Sequence, residues 1–217
     1  MIIAIDGPAG AGKSTVAEEL ARRHEIQLVD TGAMYRAVAY EAGRRGVELE
    51  DPDEVAEVAS SLDFEFQFVD GDNVIYCNDK SLRDEIRTAQ VSRDASIISA
   101  HRSVREVLVE QQRQVGRERS SVLEGRDIGT VVFPDADVKI FITASREVRA
   151  QRRVDQMRDQ GQDADYQEVY DEIEARDRRD REREIAPLKK ADDAVEIVTD
   201  DLSIEEVISA VEREITD

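Results

Sequence analysis

The feature that most narrows the fold is a nine-residue run near the amino terminus, Gly7-Pro8-Ala9-Gly10-Ala11-Gly12-Lys13-Ser14-Thr15. It satisfies the pattern G-x-x-x-x-G-K-[ST]. Glycines at this spacing let successive backbone N–H groups converge on phosphate oxygens without side-chain clash. A helix opening near Lys13 aims its positive end at the same anion. In that arrangement Lys13 bridges the β- and γ-phosphates and Ser14 holds Mg²⁺. At average residue usage a chance match in a chain of this length is roughly a 1% event. The surroundings lower it further: an apolar run, Ile2 to Ile5, leads directly into the loop, and a helical pattern from Lys13 to His24 leaves it. The run therefore predicts nucleoside triphosphate binding by a strand–loop–helix unit.

The rest of the chain continues in the same style. Apolar strand candidates recur at Ile26 to Val29, Ser121 to Leu123, Val138 to Ile142 and Ala194 to Val198, and helical patterns lie between them. Helices are expected at Gly32 to Arg45, after Asp51-Pro52-Asp53, and from Leu82 to about Gly116. A further helical stretch covers Ser145 to Ile185, broken near Gly161, and the last helix is Ser203 to Ile215, opened by a Ser203-x-x-Glu206 capping box. Five buried strands alternating with helices predict an α/β fold, a parallel sheet covered on both faces. One segment breaks the style. Phe64, Phe66 and Phe68 alternate with polar residues, Gly71-Asp72-Asn73 reads as a turn, Val74 to Cys77 as a returning strand, and Asn78-Asp79 as a second turn. This antiparallel patch reads as an insertion.

Composition bounds the setting. The 217 residues fit one domain, and 40% apolar residues suffice for a core. Fifty acids against thirty bases give a net charge of −20, which repels nucleic acid and anionic membranes. Such a surface also fits a high-salt setting, the alternative being a genome rich in G and C. No stretch approaches the ~20 apolar residues of a membrane span. Cys77 stands alone, and the amino terminus lacks a basic leader, so a cytoplasmic protein is expected. His24 and His101 are isolated and read as surface or capping residues, and Cys77 as a small hydrophobe.

The use of the triphosphate follows in part by elimination. A guanine-reading Asn-Lys-x-Asp is missing, and no apolar strand ends in Asp-Glu as in motor ATPases. A small phosphoryl-transfer enzyme remains, and its second, anionic substrate calls for arginines near the strand ends. Asp30-Thr31-Gly32-Ala33-Met34-Tyr35-Arg36 follows the second core strand and Glu124-Gly125-Arg126-Asp127 the third. Residues 146 to 183 add ten arginines against twelve acids, too balanced for a nucleic-acid patch. Pairs such as Glu172–Arg176, Glu174–Arg178 and Asp177–Arg181 read as a solvated, salt-bridged helix. Arg152 and Arg153, ahead of Gly161, suit a mobile lid. A regulatory protein using the phosphate loop as a switch is the rival reading, and it needs no such arginines.

Together IDGPAGAGKST, DTGAMYR, EIRT, EGRDIGTVVFPDADVKIF and RDRRDREREIAPL, spanning Ile5 to Leu188, resemble the bacterial-type cytidylate kinases of the nucleoside monophosphate kinase group. The resemblance implies transfer of the ATP γ-phosphate to CMP or dCMP with Mg²⁺, by a monomer. An adenylate-like or uridylate kinase is the nearest alternative. The resemblance to the cytidylate kinases also implies a core sheet in the order 2-3-1-4-5 and a single domain over 1–217. Within that domain, 36–87 would be the monophosphate-binding subdomain, with its β insert at about 64–80, and 146–163 the lid. By position, Arg36 and Arg126 would grip the CMP phosphate. Asp127 would accept from the cytosine amino group, Thr31 and Tyr35 would line the pocket, and Arg176 and Asp180 would address the ribose. Arg183 would lie near the phosphates or base, Ser96 and Arg105 would touch cytosine, and Arg152 and Arg153 would be the lid arginines. Lys13, Arg126, Arg152, Arg153 and Arg183 would thus serve the transfer itself. Glu124 and Thr31 stand where some members carry Asp and Ser, swaps that keep the chemistry.

Overall fold

The structure is a computed structural model that describes residues 1–159 and 161–216. Residue 160, inside the expected lid, and residue 217, the end of the expected domain, lie outside the described residues. The chain opens as β1 (Ile2–Asp6), α1 (Lys13–Arg23), β2 (Gln27–Asp30), α2 (Thr31–Arg45) and α3 (Pro52–Ser60). A small sheet of β3 (Phe64–Val69), β4 (Asp72–Cys77) and β5 (Lys80–Leu82) follows, then a 3-10 turn at Asp84–Ile86. Next come α4 (Ala89–Ile98), α5 (Arg102–Arg117), β6 (Ser121–Gly125) and a π-helical turn, Ile128–Val132. The chain closes with β7 (Val138–Thr143), α6 (Arg146–Asp159), α7 (Tyr166–Glu182), β8 (Val195–Val198) and α8 (Ile204–Thr216).

The five parallel strands lie in the order β2-β6-β1-β7-β8. Counting core strands alone, that is the expected 2-3-1-4-5. Alternation along β1 splits the core: Ile3 and Ile5 pack with Val16, Leu20, Ile208 and Val211 of α1 and α8, while Ala4 faces Met34, Val38 and Leu108 of α2 and α5. Each fully buried aliphatic side chain contributes about 1.5–3 kcal/mol. In register, Asp6 pairs with Gly125 and Asp30 with Glu124, so three strands deliver acidic residues to one edge of the sheet. That is the edge where open α/β sheets bind ligands.

Local signals set the element ends. Asp51 caps α3 by accepting from the N–H groups of Asp53 and Glu54, with Pro52 at the first helical position. Ser203 and Glu206 form the reciprocal capping box, Glu206 N–H to Ser203 Oγ and Ser203 N–H to Glu206 Oε2. The helix expected over Leu82 to Gly116 is instead the end of β5, a 3-10 turn and two helices. Thr88 starts α4, its hydroxyl accepting from Val91 N–H, and His101 starts α5 with its ring nitrogen 2.7 Å from the Leu49 carbonyl.

The insert has three strands where two were expected. Val69 pairs with Asp72, so the first turn is Asp70-Gly71, one residue earlier than read, and Asp72 and Asn73 belong to β4. Asp70 and Gly71 both have positive φ, 55° and 91°, as a two-residue hairpin of the primed type requires. Asn78 and Asp79 repeat the device at 49° and 64° and return the chain into β5. Of the alternating phenylalanines only Phe66 is fully buried; Phe68 is 42% exposed where the strand outruns its cover.

Candidate active site

The phosphate-loop sequence lies between β1 and α1, as its pattern requires. Gly7 is indispensable there: its φ is +146°, and a Cβ would lie 1.9 Å from the Ile142 carbonyl oxygen of the neighbouring strand. Gly12 caps α1 in a left-handed conformation, with no side-chain hydrogen bond to the helix's first N–H groups. Those donors stay available to an anion. Gly10, Gly12, Ser14 and Thr15 are exposed, Ala9 is half-buried, and Gly7, Pro8, Ala11 and Lys13 are buried. Lys13 Nζ donates to the Pro8 carbonyl at 2.9 Å. Burial, then the charge of Arg126, pushes its ammonium down to about 7. Burial and Asp30 push the neighbouring Glu124 carboxyl up to about 7. A buried cation short of compensating charge is suited to an incoming polyanion.

Side chains of α2, α4, α5, α7 and the turn after β6 converge in a buried cluster of charged and polar groups. Asp127 stands at its centre, nearly fully buried. Arg105 of α5 donates to it through Nη2 in a short hydrogen bond, and Arg183 at the end of α7 approaches its other oxygen at 3.5 Å. The Arg105 guanidinium lies over the Tyr35 ring, 5.8 Å from its centroid. Burial, partly relieved by Arg105, pushes the Tyr35 phenol up to about 12, and its hydroxyl has no hydrogen-bond partner. Thr31 starts α2 and donates to the Glu124 carbonyl at 2.7 Å. Ser96 of α4 is buried and accepts from Arg179 Nε at 3.1 Å.

Beside this cluster Arg36, Arg126 and Arg176 lie close enough to bear on one another. Arg126 donates through Nε to Asp180 at 2.9 Å, and Arg36 to Asp30 at 2.8 Å. Arg176 has a buried Nε without a partner, and burial together with Arg126 pushes its guanidinium down to about 10. Burial works against ionised Asp180, yet Arg126 and Arg176 outweigh it and hold the carboxyl below its usual range. Burial also pulls the Arg183 guanidinium down, with Arg105 adding to the effect. Arg126 and Arg176 are both close enough to bear on Lys13, so arginine cluster and loop form one electrostatic unit.

The two expected lid arginines lie elsewhere. Arg152 binds the hydroxyl and carbonyl of Thr199 just past β8, and Thr199 in turn donates to the Ala11 carbonyl of the phosphate loop at 3.4 Å. Arg153 hydrogen-bonds only Gln156, along its own helix. The helical arm of α6 and α7 has its own small apolar core of Ala150, Val154, Ala164, Val169 and Ile173.

Three site-forming residues escaped the sequence reading. Asp6, the last residue of β1, accepts from Ile128 N–H at 2.8 Å and Gly129 N–H at 2.7 Å, fixing the turn that carries Asp127. Arg149 and Asp177 form a buried two-point ion pair between α6 and α7. Of the ion pairs expected along α7 only Asp177–Arg181 forms, at 3.8 Å, while Glu172 turns to Arg93 and Glu174 to Arg146. Tertiary approach, not helical spacing, chose those partners.

A strand–glycine loop–helix unit at the carboxyl edge of a parallel sheet, with a cluster of arginines bearing on its lysine, defines a kinase of the phosphate-loop class. The chain belongs to the cytidylate kinase family, whose sequence model matches residues 3–217. It is 44% identical to the cytidylate kinase of Clostridioides difficile (strain 630) over 211 residues, 97% of this chain and 96% of that one. It is also 44% identical to the cytidylate kinase of Bacillus thuringiensis (strain Al Hakam) over 209 residues, 96% and 93% of the two chains. A crystal structure of an uncharacterized protein from Eubacterium ventriosum shares the fold at a TM-score of 0.54 and 17% identity, covering 100% of this chain and 99% of that one.

Proposed function

We propose that this chain transfers the γ-phosphoryl group of ATP to CMP and dCMP, giving CDP and dCDP. The observation that carries the reading is Asp127: a buried carboxylate held by Arg105 and Arg183, next to Arg126, which with Arg176 bears on Lys13. A carboxylate fixed there accepts from the amino group of cytosine and repels the carbonyl of uracil. Arg36, Arg126 and Arg176 suit the acceptor phosphate, and Asp180 the ribose. Thr31 and Tyr35 would wall the pocket, with Ser96 and Arg105 beside the base.

In the reaction the loop N–H groups and Lys13 would hold the β- and γ-phosphates, while Arg126 and Arg183 would meet charge spreading over the transferring group. No general base is required; alignment and charge stabilisation carry the step. Among the described residues no group of three or more His, Cys, Asp or Glu could hold a metal ion. The oxygens of exposed Ser14 and of Glu124 fit a hard cation that arrives with ATP. Ser14 and Glu124 would hold Mg²⁺, whose positive charge would offset that of the phosphates. Segment 36–87 would form the monophosphate-binding subdomain and 146–163 a lid bringing Arg152 and Arg153 to the phosphates. A cytoplasmic monomer completes the reading. No described helix is long and apolar enough to cross a membrane.

The test is a coupled assay of ADP release with ATP, Mg²⁺ and each nucleoside monophosphate in turn. CMP and dCMP are expected to be the preferred acceptors. Preference for UMP or AMP, or ADP release independent of any monophosphate, would overturn the assignment.

A further inference from the structure

We infer that Arg149, locked by Asp177, is a positioning residue that couples the phosphate loop to the helix bearing the acceptor-side residues. The inference rests on the function proposed above, because its two ends are the ATP and CMP sites.

Arg149 is 2% exposed and Asp177 1% exposed. The guanidinium donates four times: Nε to the Ala144 carbonyl at 3.0 Å, Nη1 to the Ala9 carbonyl at 3.0 Å and to Asp177 Oδ1 at 3.1 Å, and Nη2 to Asp177 Oδ2 at 2.6 Å. Those bonds join the phosphate loop, the chain just past β7, and the middle of α7. The loop also rests on the root of the same residue, since a Cβ on Gly10 would lie 3.3 Å from the Arg149 Cβ. Asp177 follows Arg176 directly and precedes Asp180 by one helical turn. A shift of Asp177 therefore shifts both acceptor-side residues.

Only arginine suits this junction. Its planar fork can hold a carboxylate at two points while another N–H reaches a carbonyl, whereas an ammonium offers a point charge with no fixed direction. The fork is stiff and fully enclosed, so a displacement of Ala9 when triphosphate settles passes to Asp177. Both sites then bias one packed element, the physical requirement for coupling. Arg149 touches protein groups alone and acts through its neighbours.

Calorimetry measures the affinity for CMP with and without a non-hydrolysable ATP analogue and Mg²⁺. In the unaltered chain the analogue is expected to tighten CMP by at least ~5-fold. In Arg149→Lys and Asp177→Asn that ratio is expected to fall to about 1, a readout that lost stability alone does not move. Hydrogen exchange on the unaltered chain supplies a measurement independent of either variant's folding: the ATP analogue alone is expected to slow amide exchange across 176–183. An undiminished ratio in a folded variant, a ratio of about 1 in the unaltered chain, or unchanged exchange overturns the inference. A chain that phosphorylates CMP yet gives any of those results loses only the coupling. One that neither binds nor phosphorylates CMP loses the proposed function as well.

Discussion

Asp127 has two tasks that pull on different measurements. It is the proposed reader of cytosine, and it is the counter-charge for Arg105 and Arg183. Asp127→Ala would leave those guanidiniums without it, a change that costs about 3–5 kcal/mol in buried pairs. Asp127→Asn keeps the shape and exchanges one acceptor for a donor. A hydrogen bond to a charged group is worth about 1.5–3 kcal/mol. The ratio of kcat/KM for CMP over UMP is therefore expected to drop by at least ~10-fold in Asp127→Asn; an unchanged ratio would remove Asp127 from base selection. Lys13→Ala is expected to lower kcat by at least ~100-fold while the far-ultraviolet circular dichroism stays native, because the proposed function puts it among phosphates. A variant that unfolds would instead make Lys13 structural. Lys13 was legible because it sits in a short motif whose spacing encodes its use, and Asp127 through the family resemblance of the segment around it. Arg149 and Asp177 were not, since 28 positions separate them and both lie in highly charged helices where many pairings look equal.

Among the elements, the least legible are those that exist by virtue of a neighbour. β5 is only Lys80-Ser81-Leu82, and it is a strand because β4 offers it an edge. The π-helical turn after Asp127 has no sequence periodicity of its own; it is tied to β1 by Asp6. The hairpin turns and the Ser203–Glu206 capping box, by contrast, announce themselves in a few adjacent residues. Asp6 makes the turn's anchoring measurable. Burial pushes its carboxyl up to about 6 from 3.8, against the pull of two backbone N–H donors. The folded chain therefore keeps a proton that the unfolded chain releases, and this contribution is present below pH 3.8 and lost as pH rises through 6. Two pK units correspond to about 3 kcal/mol. Asp6→Asn cannot titrate there. Its deficit in urea stability relative to the unaltered chain is expected to shrink by up to ~3 kcal/mol between pH 4 and pH 7. A deficit independent of pH would mean that Asp6 is ionised throughout.

At the scale of the whole molecule, five short apolar runs and one glycine loop were enough to specify the core sheet, and the family motifs its strand order. What composition adds is a surface problem: a net charge of −20 on 217 residues repels itself. Screening shortens from about 10 Å at 0.1 M salt to about 3 Å at 1 M. The thermal midpoint is expected to rise across that range; equal stability at both ends would dispose of the high-salt reading of the acidic surface. The same abundance of acids has a use beside the phosphate loop. Arg36 rests on Asp30 and Arg126 on Asp180. These two guanidiniums, proposed for the acceptor phosphate, thus already face carboxylates. Inorganic phosphate or sulfate would have to compete with those carboxylates with nothing more to offer, whereas a nucleotide also brings sugar and base. Small anions are therefore expected to inhibit CMP phosphorylation only weakly.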